Sequence, residues 1–175
     1  TGALAALERR LPAVSGRTRL VVVRSGVGAA LPLPGGTILL NADLVEDHDT
    51  PDIVAGHILA AQLRAETRDP LDTLLANAGL REVLRLLATG RLGDDALRAH
   101  AEALLRDPPP PPPDAVLIAG FERLEVRATP YAYARDITGE TVLGLIEADP
   151  FARDADLPPI LSDGDWLRLQ GICGG

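Results

Sequence analysis

The segment from Thr50 to Leu63 constrains this chain more than any other. Thr50 followed by Pro51 is a helix start: the threonine oxygen accepts from a free backbone N–H, and proline at the first helical position gives up no hydrogen bond. Beyond it, Ile53, Val54, Ile58, Leu59 and Leu63 cover more than one face of the helix. A helix apolar on most sides must be buried on most sides, so the rest of the chain has to pack around it. It carries one histidine, His57. At 175 residues the chain can bury a sizeable core, and with aromatics at 3% that core is built from Leu, Val, Ile and Ala.

The flanking segments read in order. Leu4, Leu7 and Leu11 share one stripe of an amphipathic helix over 3–11, with Glu8, Arg9 and Arg10 expected to face away. Leu20-Val21-Val22-Val23 reads as a buried strand. Residues 25–36 are rich in Gly and Pro, and 37–40 form the second strand, expected to be antiparallel to a neighbour. After the central helix, Pro70 starts one that Gly79 closes. Residues 83–87 form another, closed by Gly90, and Asp94 or Asp95 starts a third, running to Leu105. Residues 108–113 are six consecutive prolines, a stiff extended rod and the best internal boundary. Beyond it, 115–124 reads as helix. Residues 131–135 and 141–146, joined by a Gly-containing link, read as a β-hairpin that places Tyr131 and Tyr133 on one side of a strand. Ser162 caps a last helix with Trp166, Leu167 and Leu169 on its apolar face. The pattern predicts an α+β fold: a helix-rich domain with a small β-sheet over 1–107, a polyproline linker over 108–113, and an α-β-hairpin-α subdomain over 114–175.

A net charge of −8 argues against nucleic acid, which needs a concentrated basic face. No apolar run is long enough to span a membrane. The lone Cys173 cannot form an intramolecular disulfide; it reads as a buried or incidental thiol and fits a reducing, cytoplasmic setting. The start on Thr1 rather than Met leaves room for a removed N-terminal anchor or signal. No Walker-type loop or Gly-x-Gly-x-x-Gly is present, and Ser162 has no histidine partner in sequence.

Residues 29–57 carry a more specific pattern. Ala29-Ala30-Leu31-Pro32 leads into Leu33-Pro34-Gly35-Gly36, then an apolar strand over 37–41, then Asp43-Leu44-Val45, an acidic patch, and Ile53-Val54-Ala55-Gly56-His57. Over residues 1–66 the chain resembles the HtpX-type zinc metallopeptidases of the gluzincin group. That resemblance implies a zincin-like fold in the N-terminal part and a helix bearing His-Glu-x-x-His. Here the window is His57-Ile58-Leu59-Ala60-Ala61. Zinc needs three protein ligands plus a water, and a neighbouring Glu to deprotonate that water. Isoleucine cannot act as the base, and alanine cannot ligate. The family's third ligand falls nearest to Glu102, which lacks the aspartate that should follow.

His57 and Glu102 are therefore a vestigial site. His57 reads as a hydrogen-bonded core histidine, His48 as solvated and His100 as a surface residue. No metal or other cofactor is expected. The expectation is a catalytically inactive, metallopeptidase-like module for a protein or peptide partner. Its groove would involve Gly35, Gly36, Thr37, Leu39, Tyr131 and Tyr133, and strand 37–40 would accept an extended peptide by strand addition. The alternatives are an enzyme of other chemistry using Tyr131, Tyr133 and Glu147, or a homodimer formed through Leu-rich helix faces.

Overall fold

A computed structural model describes residues 2–13 and 17–173. The chain is α+β, with helices over 60% of it and one three-stranded sheet. Helix α1 (Gly2–Arg10) precedes strands β1 (Arg19–Val23), β2 (Ala30–Leu33) and β3 (Thr37–Asn41) and a short helix α2 (Ala42–Glu46). Helices α3 (Pro51–Thr67), α4 (Pro70–Thr89) and α5 (Asp94–Arg106) lead to the proline run. Helices α6 (Asp114–Leu124), α7 (Ala128–Arg135), α8 (Leu143–Glu147) and α9 (Asp163–Gln170) complete the fold, with 3-10 turns over Glu140–Val142 and Gly171–Cys173. The side chain of Cys173 lies outside the described residues.

The sheet order is β1-β3-β2. Strand β3 lies parallel to β1, from Arg19 opposite Thr37 to Val23 opposite Asn41. It is antiparallel to β2, from Ala30 opposite Leu40 to Leu33 opposite Thr37. The expected antiparallel neighbour is thus β2, a strand inside the Gly- and Pro-rich stretch where none was read. Pro32 hides it: proline cannot donate to a ladder and is tolerated only on an edge strand, which is where β2 lies. Gly35 and Gly36 make the turn into β3 with φ of +80° and +76°, and a side chain on Gly36 would collide with the Arg17 carbonyl.

Helix α3 starts as its residues dictate. The Thr50 side chain accepts from the Asp52 N–H at 3.3 Å, and Pro51 occupies the first turn. Val54, Ala55, Ile58, Leu59 and Ala61 are fully buried. Two neighbours approach through glycines. A Cβ on Gly56 would sit 2.5 Å from Cβ of Tyr131 on α7, and one on Gly120 of α6 would sit 2.9 Å from Leu59. Residues from both sides of the proline run, Leu7, Leu59, Phe121, Tyr131, Leu145 and Leu169 among them, share one hydrophobic core. The run therefore does not separate two cores.

Two charged residues of α1 do not face away as expected. Glu8 accepts the Leu20 N–H of β1 at 2.7 Å. Arg10 donates to the carbonyls of Leu124 and Glu125 at 2.6 and 2.9 Å, holding the end of α6, where Glu125 takes a left-handed φ of 50°. A cation at that end is also favoured by the helix dipole, whose C-terminus is negative.

The expected hairpin over 131–146 is not a hairpin. Residues 131–135 belong to α7, and 140–147 form a 3-10 turn and α8. Capping overrides the β-branched and aromatic composition. The carboxylate of Asp149, itself nearly buried, accepts from the Thr129 N–H at 2.8 Å and its hydroxyl at 2.6 Å, at the first turn of α7. Asp136 accepts from the amides and hydroxyls of Thr138 and Thr141, closing the following turn and holding its carboxyl far below the usual range. In the C-terminal part the helix starts at Asp114 and Asp163 agree with the sequence reading, and Ser162 caps α9 through the Asp165 N–H at 3.2 Å.

Helix α4 breaks at Gly79, which has φ 78° and ψ 164°, and ends at left-handed Gly90. With α5 it makes a helical hairpin whose side toward solvent carries Leu80, Leu84 and Leu87. Among the described residues no helix is long and apolar enough to cross a membrane.

Candidate functional site: the cleft at His57

Helical spacing puts His57, Ala61 and Arg64 on one face of α3, since residues four and seven apart stack along a helix. That face turns toward β2 and α7. Between them lies a cavity of about 520 Å³, lined by His57 and Arg64 from α3, Tyr131 and Arg135 from α7, and the backbone segment leading into β2. Leu104 of α5 and prolines 108, 109 and 111 form its remaining wall. The proline run thus borders the cleft.

The imidazole of His57 meets the Tyr131 ring edge-on at 5.0 Å, and the Arg135 guanidinium lies 5.6 Å from the same ring's centre, a cation–π distance. Burial drives the His57 pKa down to about 4, helped by the positive charges of Arg64, His48 and Arg135, so the ring is neutral at pH 7. Burial also raises the Tyr131 phenol, against the pull of the two arginines. The Arg64 guanidinium is drawn below its usual range by burial but stays charged.

Arg64 also fixes the edge of the sheet. The Ala29 carbonyl accepts from Asn41 of β3, so alternation turns Ala30 and Pro32 outward. Arg64 donates from Nη2 to the Ala30 carbonyl at 3.1 Å. On that outer edge one carbonyl is taken, and Pro32 has no N–H to offer.

The structure separates the residues that the sequence grouped as a groove. Thr37 and Leu39 lie in β3, paired on both sides, so that strand cannot add another. Gly35, Gly36 and Thr37 line a different hollow of about 220 Å³ with Gln62 and Thr18. Tyr131 lines the cleft, but Tyr133 is 47% exposed; two residues apart on a helix, they point to nearly opposite sides. Glu147 is exposed on α8 and does not line the cleft. Glu102 is exposed on α5, outside the residues that line it. His100 is buried rather than on the surface, with Nδ1 3.0 Å from Nδ2 of Asn77 and its pKa lowered by burial. His48 is half-buried, and its carbonyl accepts from Gln170. Arg64 and Arg135 were not singled out from the sequence. Arg64 had a signal there, seven residues beyond His57 on the same helical face.

The donor set at His57 does not suit zinc: one imidazole stands with two guanidiniums and a phenol, and a fixed cation repels a metal ion. Ile58 and Ala61, one and four residues beyond His57, are fully buried aliphatic side chains that can neither ligate a metal nor act as a base. Among the described residues no group of three or more His, Cys, Asp or Glu is placed to hold a metal. Comparison of the chain with protein-family models, with curated proteins and with solved structures gives no match.

Proposed function

We propose that this protein is a non-catalytic, zincin-like relative of HtpX-type peptidases that uses the cleft at His57 as a protein- or peptide-binding module. One observation carries the reading. His57 and Arg64 of α3 line a cavity beside the antiparallel edge strand β2, and Ala61, at the position where such a peptidase would have its second ligand, is buried between them. The segments quoted for the resemblance support the ancestry, since they fold in the order edge strand, turn, strand, short helix and long helix. A cavity of about 520 Å³ falls in the range of ordinary ligand pockets, roughly 300–1,000 Å³. The occupant enters that cavity rather than adding a strand, because β3 is paired on both sides and the outer edge of β2 is blunted by Pro32 and Arg64.

Metal analysis of the purified protein with a peptide-cleavage assay tests the reading. The expected result is no bound zinc and no cleavage, with or without added zinc. One zinc per chain, removable with loss of proteolysis, would reject it.

A second reading, self-association, is favoured by the solvent face of α4, where Leu80, Leu84 and Leu87 are 75%, 58% and 78% exposed. Light scattering that returns the mass of a single chain at high concentration would count against it.

A further inference from the structure

We propose that Arg64 and Arg135 make the cleft a carboxylate-binding site, and that the carboxylate it takes carries an apolar tail. The inference rests on the binding-module reading and names the ligand for that same cavity. Three observations carry it. First, both guanidiniums line the cavity, and among the described residues neither lies within 4.0 Å of a carboxylate. The chain carries −8 overall, yet the residues that line this cleft include two arginines and no carboxylate. Asp114 is the one acid that acts on Tyr131, and it is the weakest of the influences there. Second, Nη2 of Arg64 donates to the Ala30 carbonyl at 3.1 Å, which fixes the guanidinium at the cavity wall. A guanidinium held in place matches a carboxylate through paired N–H groups. Third, the other walls select the rest of the ligand. Leu31, Leu104 and the prolines are apolar, and the His57 imidazole, uncharged at neutral pH, meets Tyr131 edge-on instead of adding a third cation. The ion recognised is therefore an amphipathic carboxylate, not a phosphate in a shell of donors.

Two sources present that chemistry: the C-terminus of an apolar peptide, and a free medium-chain carboxylate. Calorimetric titration of the full chain with acetyl-Leu-Leu, with its C-terminal amide and with octanoate separates them. Binding of acetyl-Leu-Leu with a loss of roughly tenfold or more for the amide supports the proposal with a peptide terminus as the source. Binding of octanoate alone supports it with a small carboxylate as the source. Arg135→Gln, at an exposed position, is expected to weaken whichever binds by a similar factor. Equal affinity for the acid and the amide would overturn the carboxylate site while leaving the binding module standing. Absence of binding by all three probes would overturn the site. Zinc-dependent cleavage of the peptide would instead overturn the module reading itself.

Discussion

Helices α3 and α4 follow one another in the chain and begin alike, yet they end in opposite environments. Each has a side-chain cap, Thr50 or Asp69, followed by proline in the first turn. Helix α3 is buried along most of its length, whereas in α4 only Leu74 is buried. Start chemistry thus fixes where a helix begins and says nothing of what covers it. Cover comes from neighbours that can come close. Gly56 admits α7, Gly120 of α6 admits Leu59 and Leu63, and the small residues Ala55, Ala60 and Ala61 leave room along the helix. Past Gly79, α4 turns away and its leucines meet solvent.

The contrast is open to breakage at graded cost. Leu59→Ala, at a fully buried position, is expected to lower stability by about 2–5 kcal/mol, through lost transfer energy and a cavity. Denaturant midpoints read this directly, and a loss under 1 kcal/mol would show that α3 is not the centre of the core.

His57 gives the next effect. The unfolded chain binds a proton near pH 6.5, but the folded cleft resists one until about pH 4. Acid therefore favours unfolding, so the stability this group contributes is full above pH 6.5 and is lost as pH falls through about 4, on the order of 3 kcal/mol. Urea midpoints of the native chain and His57→Gln, compared between pH 7 and 4, isolate the term; His100 and the carboxylates are common to both. Parallel pH profiles would remove it.

Gly56→Ala places a methyl 2.5–2.7 Å from Tyr131. It is expected to cost about 1–3 kcal/mol by overpacking and to reduce binding in the cleft by shifting that ring. Leu87→Gln, at 78% exposure, sits at the far end of the scale and is expected within about 0.5 kcal/mol. A larger loss would mean that the α4 face is covered by another chain.

Much of the helical framework was legible because its signals are local. Thr50-Pro51, Ser162, Gly79 and Gly90 each act on the backbone within a turn of themselves. The misreadings came from partners far along the chain. Asp149 makes a helix of residues that favour a strand, and the pairing to β3 makes a strand of residues that read as turn. The site was half legible. His57 stood out as a histidine in an apolar helix. Its surroundings did not, since Tyr131 reaches it only through the Gly56 crossing, and Arg135 only through the same helix.

The imidazole nitrogen shifts of His57, followed by NMR against pH and then against one equivalent of zinc, decide whether this cleft holds a metal or a neutral, non-ligating ring. The ring is expected to be neutral, to protonate near pH 4 and not to respond to zinc. A zinc-dependent shift of a ring nitrogen, or protonation at or above pH 6.5, would contradict that.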